Sequence, residues 1–156
     1  MSGRRFTMVS RQIWRSGRFL AVSAEAKVLH FFYMTCEHQN FAGTYRLPDG
    51  YAVEDLRWPP DAYRAARQEL VAADLIAFDT ATSELFVRRW FQHCRPKGIK
   101  QEEGTRRLIE AIESDIIREM VEAEYMAGEP EKPAAEVHSF DTSSKLLQTR
   151  IMGGRG

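Results

Sequence analysis

The spacing of apolar residues changes period several times along the chain, and each change marks an element. Residues 6–9 are short and β-prone, and Ser10 is placed to cap a short helix through Trp14 that Gly17 breaks. Ser23 is the best N-cap in the chain, with Glu25 in the first turn, where the helix dipole favours an anion. A helix is predicted over 24–37, with Val28, Leu29, Phe32 and Tyr33 as its apolar face. Asn40 to Gly43 reads as a turn, and residues 44–47 as a short extended piece.

A second helix opens at Pro48-Asp49 and runs to about Leu56. Trp58-Pro59 stops it, because proline pushes the residue before it out of the helical region. Proline is tolerated in the first turn of a helix, so a third helix begins at Pro60 or Asp61 and ends near Ala73. Tyr63, Ala66 and Leu70 line one face of it. Asp74 marks a tight turn. Residues 75–79 and 84–91 then read as two strands joined by the polar turn 80–83, a β-hairpin. Beyond Arg95-Pro96-Lys97-Gly98, one amphipathic helix is predicted over 105–125, with Ile109, Ile112, Ile116 and Met120 as its stripe and Leu108, Ile117 and Val121 widening it. Residues 128–144 have the composition of a disordered segment, and Leu146, Leu147, Ile151 and Met152 lie in the tail.

Three helices followed directly by a hairpin are the layout of a winged helix-turn-helix. The expected fold is therefore mainly α with a small β-hairpin wing. It divides into a winged-helix domain over 1–101, the amphipathic helix over 102–126 and a flexible tail over 127–156.

Charge sharpens this reading. The formal net charge is zero. Residues 1–101, however, carry 15 Lys/Arg against 10 Asp/Glu, a net of +5, and residues 102–156 carry 7 against 12, a net of −5. A basic half suits a polyanion, and an acidic arm suits a basic protein partner. The second helix of a helix-turn-helix enters the major groove. In that role Arg64, Arg67 and Gln68 lie opposite Tyr63, Ala66 and Leu70, with side chains suited to guanine and adenine edges. Arg88 and Arg89 sit on the second hairpin strand, where alternation sends one of them outward. Arg95, Lys97 and Lys100 extend the positive strip, and Arg4, Arg5, Arg11 and Arg15 add charge at the other end, all suited to phosphates. The expected partner is double-stranded DNA.

The sequence offers no catalytic constellation: it contains no phosphate-loop, dinucleotide or His-Glu-x-x-His motif. Cys36 and His38 with His93 and Cys94 have the wrong spacing for zinc, so no metal and no cofactor are expected. Nothing resembles a signal peptide or a membrane span, so the expected location is cytoplasmic, away from the membrane. The stripe on the helix 105–125 either packs back across the winged domain or pairs with a second copy to give a homodimer.

Several segments resemble, in order, the N-terminal winged-helix domain of phage and prophage replication-initiation (replisome-organiser) proteins. They are Ile13-Trp14, Phe19-Leu20, Ser23-Ala24-Glu25-Ala26-Lys27, Gly43-Thr44-Tyr45-Arg46-Leu47-Pro48, Leu75-Ile76, Val87-Arg88-Arg89-Trp90-Phe91-Gln92-His93 and Pro96-Lys97. The resemblance implies binding to repeats at a replication origin and recruitment of helicase-loading machinery, with 60–73 as the reading helix and 75–91 as the wing. Members of that family usually continue into a partner-binding domain. Against that pattern, a reduced initiator, an accessory factor or a regulator with the same fold stays open. Two other functions stay open as well. One is a winged-helix transcriptional regulator. The other is a protein-interaction module, such as a phage inhibitor of a host defence or replication enzyme, acting through the acidic C-terminal arm.

Overall fold

The structure, a computed structural model, describes residues 5–128. Arg4 and the expectations for the tail beyond Gly128 lie outside the described residues.

A 3-10 turn (Arg11–Arg15) is capped by Ser10, whose Oγ accepts from the Gln12 N–H. Gly17, expected to break the chain there, instead opens the short helix α1 (Gly17–Ala21), because the Ser16 Oγ accepts from the Phe19 N–H. Helix α2 (Ala24–Thr35) starts at Ser23 as expected, with its Oγ accepting from the Ala26 N–H. Ser23 is itself fixed by Glu69, which accepts from its N–H (2.9 Å) and its hydroxyl (2.8 Å). The buried face of α2 is Ala26, Leu29, His30, Tyr33 and Met34, so Val28 points outward and Phe32 is only half-buried.

Strand β1 (Thr44–Arg46) leads to α3 (Asp49–Leu56) and then α4 (Pro60–Ala72), which buries Tyr63, Ala66 and Leu70 as the periodicity predicts. Asp74 turns the chain with φ 55° into β2 (Ile76–Asp79), followed by β3 (Glu84–Val87). The three strands form one antiparallel sheet in the order β1-β3-β2. Thr44 pairs with Phe86, and Ile76 with Val87.

Strand β3 is shorter than the sequence suggests. The chain leaves it through Arg88 and Arg89 into a helical turn, α5 (Trp90–His93). Trp90 causes the departure: its indole N–H donates to the Phe41 carbonyl (2.9 Å), and its ring covers Gly43. Gly43 has φ +68°, and a Cβ there would stand 2.3 Å from Trp90 Cγ. Only glycine fits such a backbone under such a ring.

The single amphipathic helix expected over 105–125 is two helices, α6 (Ile99–Glu110) and α7 (Asp115–Met126). Ser114 caps α7, its Oγ accepting from the Ile117 N–H (3.2 Å). The expected boundary at residue 101 falls inside α6, and α7 packs on β2 and β3. The break shifts the buried set to Ile109, Ile112, Ile117 and Val121 and leaves Ile116 and Met120 outward. The C-terminal helices therefore belong to the same core as the first half.

Two predictions follow from this packing. Ile117 is 1% exposed and Ile116 is 63% exposed. Urea unfolding of Ile117→Ala should show a loss of about 2–5 kcal/mol, and Ile116→Ala a change within about 0.5 kcal/mol. Gly43→Ala should cost at least about 2 kcal/mol, because both the backbone and the Trp90 ring resist it.

Candidate nucleic-acid interface

Helix α3 ends at Arg57 in a left-handed conformation, and Trp58-Pro59 carries the chain into α4. This turn sets α4 against α2 and α3 and leaves Ala62, Arg64, Ala65, Gln68 and Ala72 on its outer face. Two of the three expected reading residues, Arg64 and Gln68, are thus exposed.

Arg67 does not join them. Its side chain is 12% exposed, with the guanidinium 3.9 Å over the Phe78 ring and 5.2 Å over the Tyr63 ring. One Nη donates to Asp49 Oδ1 at 2.5 Å. The reason is helical geometry. Residues four apart share a face, and Arg67 stands four residues after the buried Tyr63, beside the aromatic ring that β2 supplies. Beneath it the Tyr33 hydroxyl donates to the Tyr63 oxygen (2.8 Å), and burial pushes the Tyr33 phenol far above its ordinary range.

Arg64 is exposed but tethered. Its Nε donates to Asp49 Oδ2 (2.8 Å), and it also approaches Asp61 at 3.5 Å. Burial alone would raise the pKa of Asp49. The hydrogen bonds and charges of Arg64 and Arg67 outweigh that, and the carboxyl is held below its ordinary 3.8.

Arg88 and Arg89 lie past the end of β3, so strand alternation does not separate them. Both turn to Asp74, Arg88 through Nε (3.0 Å) and Arg89 through Nη2 (2.5 Å), and Arg18 joins at 3.3 Å. Glu124 of α7 closes the group. It accepts from Arg88 Nη1 (3.0 Å) and from the Arg89 backbone N–H (2.7 Å). Burial pushes the Glu124 carboxyl up to about 7, with Arg88 pulling the other way and Asp74 adding to the rise. Arg95 donates to the Tyr125 carbonyl (3.0 Å) and lies over its ring. Lys97 and Lys100 are exposed and form no ion pair among the described residues.

Sequence reasoning missed Arg46 as a candidate. It is exposed at the end of β1, paired with Glu84, and one residue before the Leu47 N–H that donates to the Ser83 carbonyl. It is therefore the cation beside the hairpin turn, whose own residues 80–83 carry none. The α3–α4 stretch (49–72) holds three arginines and five carboxylates, a net of −2. Positive potential for phosphates must come from outside those two helices.

Cys36 donates to the Tyr45 hydroxyl (3.3 Å), and Cys94 approaches the Met8 carbonyl (3.8 Å). Among the described residues no group of three or more His, Cys, Asp and Glu is arranged to hold a metal, and no helix is long and apolar enough to cross a membrane.

The Asp49 pairing carries a prediction with a definite sign. A carboxylate whose folded pKa is depressed stabilises the fold above its unfolded pKa and loses that contribution as pH falls through the folded value. Stability measured by urea unfolding should therefore fall below about pH 4 partly through Asp49, and Asp49→Asn should flatten that part of the profile. Arg67→Ala should destabilise the fold at pH 7 by about 1–3 kcal/mol, while Gln68→Ala changes it by less than about 0.5 kcal/mol. Comparison with family models, with curated proteins and with solved structures finds no match to this chain.

Proposed function

We propose that this chain is a non-catalytic, winged-helix DNA-binding protein acting in phage-type replication initiation. One observation carries the reading: the order α2, β1, α3, α4, β2, β3, with β3 lying between β1 and β2 in an antiparallel sheet. In a winged helix-turn-helix this order presents α4 to the major groove. Arg64 and Gln68 are then the side chains that reach base edges. The resemblance to replication-initiation proteins supplies the biological setting.

Arg11, Arg15, Arg46, Lys97 and Lys100, which are exposed and among the cations with no ion pair to another described residue, supply phosphate contacts in this reading. Arg67, Arg88 and Arg89 leave the contact set, because each is engaged with Asp49, Asp74 or Glu124 and mostly shielded, whereas Arg64, also paired with Asp49, keeps 53% of its side chain exposed.

A second reading has a specific observation in its favour. The net charge of −2 on α3–α4 and the pairing of those three arginines suit a basic protein surface better than a phosphate backbone. That is the protein-interaction reading, and salt separates the two. In the DNA-binding reading the full chain binds duplex DNA at low salt and weakens steeply as salt rises. Changing Lys97 and Lys100 to Ala lowers the slope of log K against log salt by about 2. The pair Arg64→Ala and Gln68→Ala weakens preference for one sequence over another by about 1–3 kcal/mol. No duplex binding at low salt, measured by fluorescence anisotropy, rejects the DNA reading and leaves the protein partner.

A further inference from the structure

Between the N-terminal segment and the start of α5 the chain forms a cavity of about 330 Å³. Phe19 of α1, Met34 of α2 and Trp90 of α5 contribute apolar walls. Small-molecule pockets begin at about this size, and they combine apolar lining with a few convergent polar groups.

Three of the polar residues here are arginines. Arg18, Arg88 and Arg89 all line the cavity, and all reach Asp74, which does not. Asp74 therefore restrains the arginines from outside the cavity. Three guanidiniums face the two carboxylates of Asp74 and Glu124, so the cluster carries a net positive charge even with both carboxylates ionised. Each arginine spends one or two of its N–H groups on these partners and on the Asp74 carbonyl. A guanidinium has donors beyond that number, in a fork that matches a carboxylate.

The rim is also held in place. Arg89 has φ 61° and ψ 24°, a left-handed conformation that costs a non-glycine residue strain. The hydrogen bond from its N–H to Glu124 maintains that conformation.

A further polar group lies deeper. His30 lines the cavity and is 6% exposed, and its Nδ1 has no hydrogen-bond partner among the described residues. Buried polar atoms are normally paired, so an unpaired one needs a reason. Burial holds the pKa of His30 down to about 4. The ring is therefore neutral near pH 7 and offers one N–H and one lone pair.

We propose that this cavity is a binding site for a small organic acid. Its carboxylate meets Arg18, Arg88 and Arg89, and its apolar, ring-sized body rests against Phe19, Met34 and Trp90. A neutral His30 meets a polar substituent on that body. The site shares no residue with the α4 face, so it stands whether or not the chain binds DNA.

The test is calorimetric titration of the full chain with 2-naphthoate, 2-naphthamide and inorganic phosphate. The acid should bind at one site, the neutral amide about tenfold more weakly or worse, and phosphate without measurable heat. Arg18 is half-exposed, so Arg18→Gln should fold as the parent does and weaken naphthoate binding about tenfold. Amide resonances of Phe19, His30 and Trp90 should shift on adding naphthoate to the unmutated chain. The proposal is overturned by equal binding of acid and amide, by unchanged affinity in Arg18→Gln, by resonance shifts confined to other elements, or by no binding at millimolar naphthoate.

Discussion

Both faces of β3 are buried, and much of the molecule follows from covering them. All four of its residues are shielded, Glu84 included at 7% exposed. By alternation Glu84 and Phe86 share one face, and Leu85 and Val87 the other. A carboxylate taken out of water must be hydrogen-bonded or the fold loses several kcal/mol, on the order of the cost of any unpaired buried charge. Glu84 finds its donors in the backbone N–H groups of Glu113 (2.9 Å) and Ser114 (2.6 Å), where α7 begins. Those groups are open only because the helix breaks there. A continuous helix through 111–114 would use the same N–H groups internally and leave Glu84 unpaired. Asp79, at the end of β2, accepts from the Ser114 hydroxyl (2.6 Å) and strengthens the same junction. The hairpin and the two C-terminal helices are thus one unit.

The same economy governs the arginines. A surface that holds a nucleic acid keeps its cations free to meet phosphates. Here Arg67, Arg88 and Arg89 are turned to Asp49, Asp74 and Glu124, and two of these pairings join elements far apart in sequence. Arg67 ties α4 to the start of α3, and Arg88 ties the end of β3 to α7. Their charge goes into holding the fold. Under the proposed DNA reading, phosphate contacts rest on fewer cations than the net +5 of residues 1–101 suggests, and the candidates for base contact are Arg64 and Gln68.

The first half of the fold was legible because its signals are local. Ser23, Pro60 and Asp74 each act within a turn of chain, and each marks the boundary it was expected to mark. The misses have distant or competing causes. Gly17 read as a breaker, yet the Ser16 cap one residue earlier decides the outcome. The sequence pattern extends the second hairpin strand to Phe91, because nothing near Arg88 reveals that Trp90 packs on Gly43, 47 residues away. The break before α7 did have a signal, Ser114-Asp115, which is a good cap and first turn. The run Ile109, Ile112, Ile116, Met120 concealed it, since an unbroken stripe continues smoothly across the gap.

The site was less legible than the fold, for a reason that composition cannot repair. An arginine facing solvent and an arginine facing a carboxylate look alike in sequence when the carboxylate arrives from another element. Asp49 stands 18 residues before Arg67, and Glu124 stands 36 after Arg88. The one local clue was periodicity: Arg67 follows the buried Tyr63 by four residues, as Gln68 follows Arg64. That spacing already divided the expected trio into one side chain at the edge of the core and two at the surface. Arg18 had no such clue, because it meets Arg88 and Arg89 only when α1 and the end of β3 converge on Asp74. A charge cluster of this kind is a property of the tertiary fold. Two of the arginines that the sequence offers to DNA, Arg88 and Arg89, are gathered by the fold with Arg18 beside a cavity.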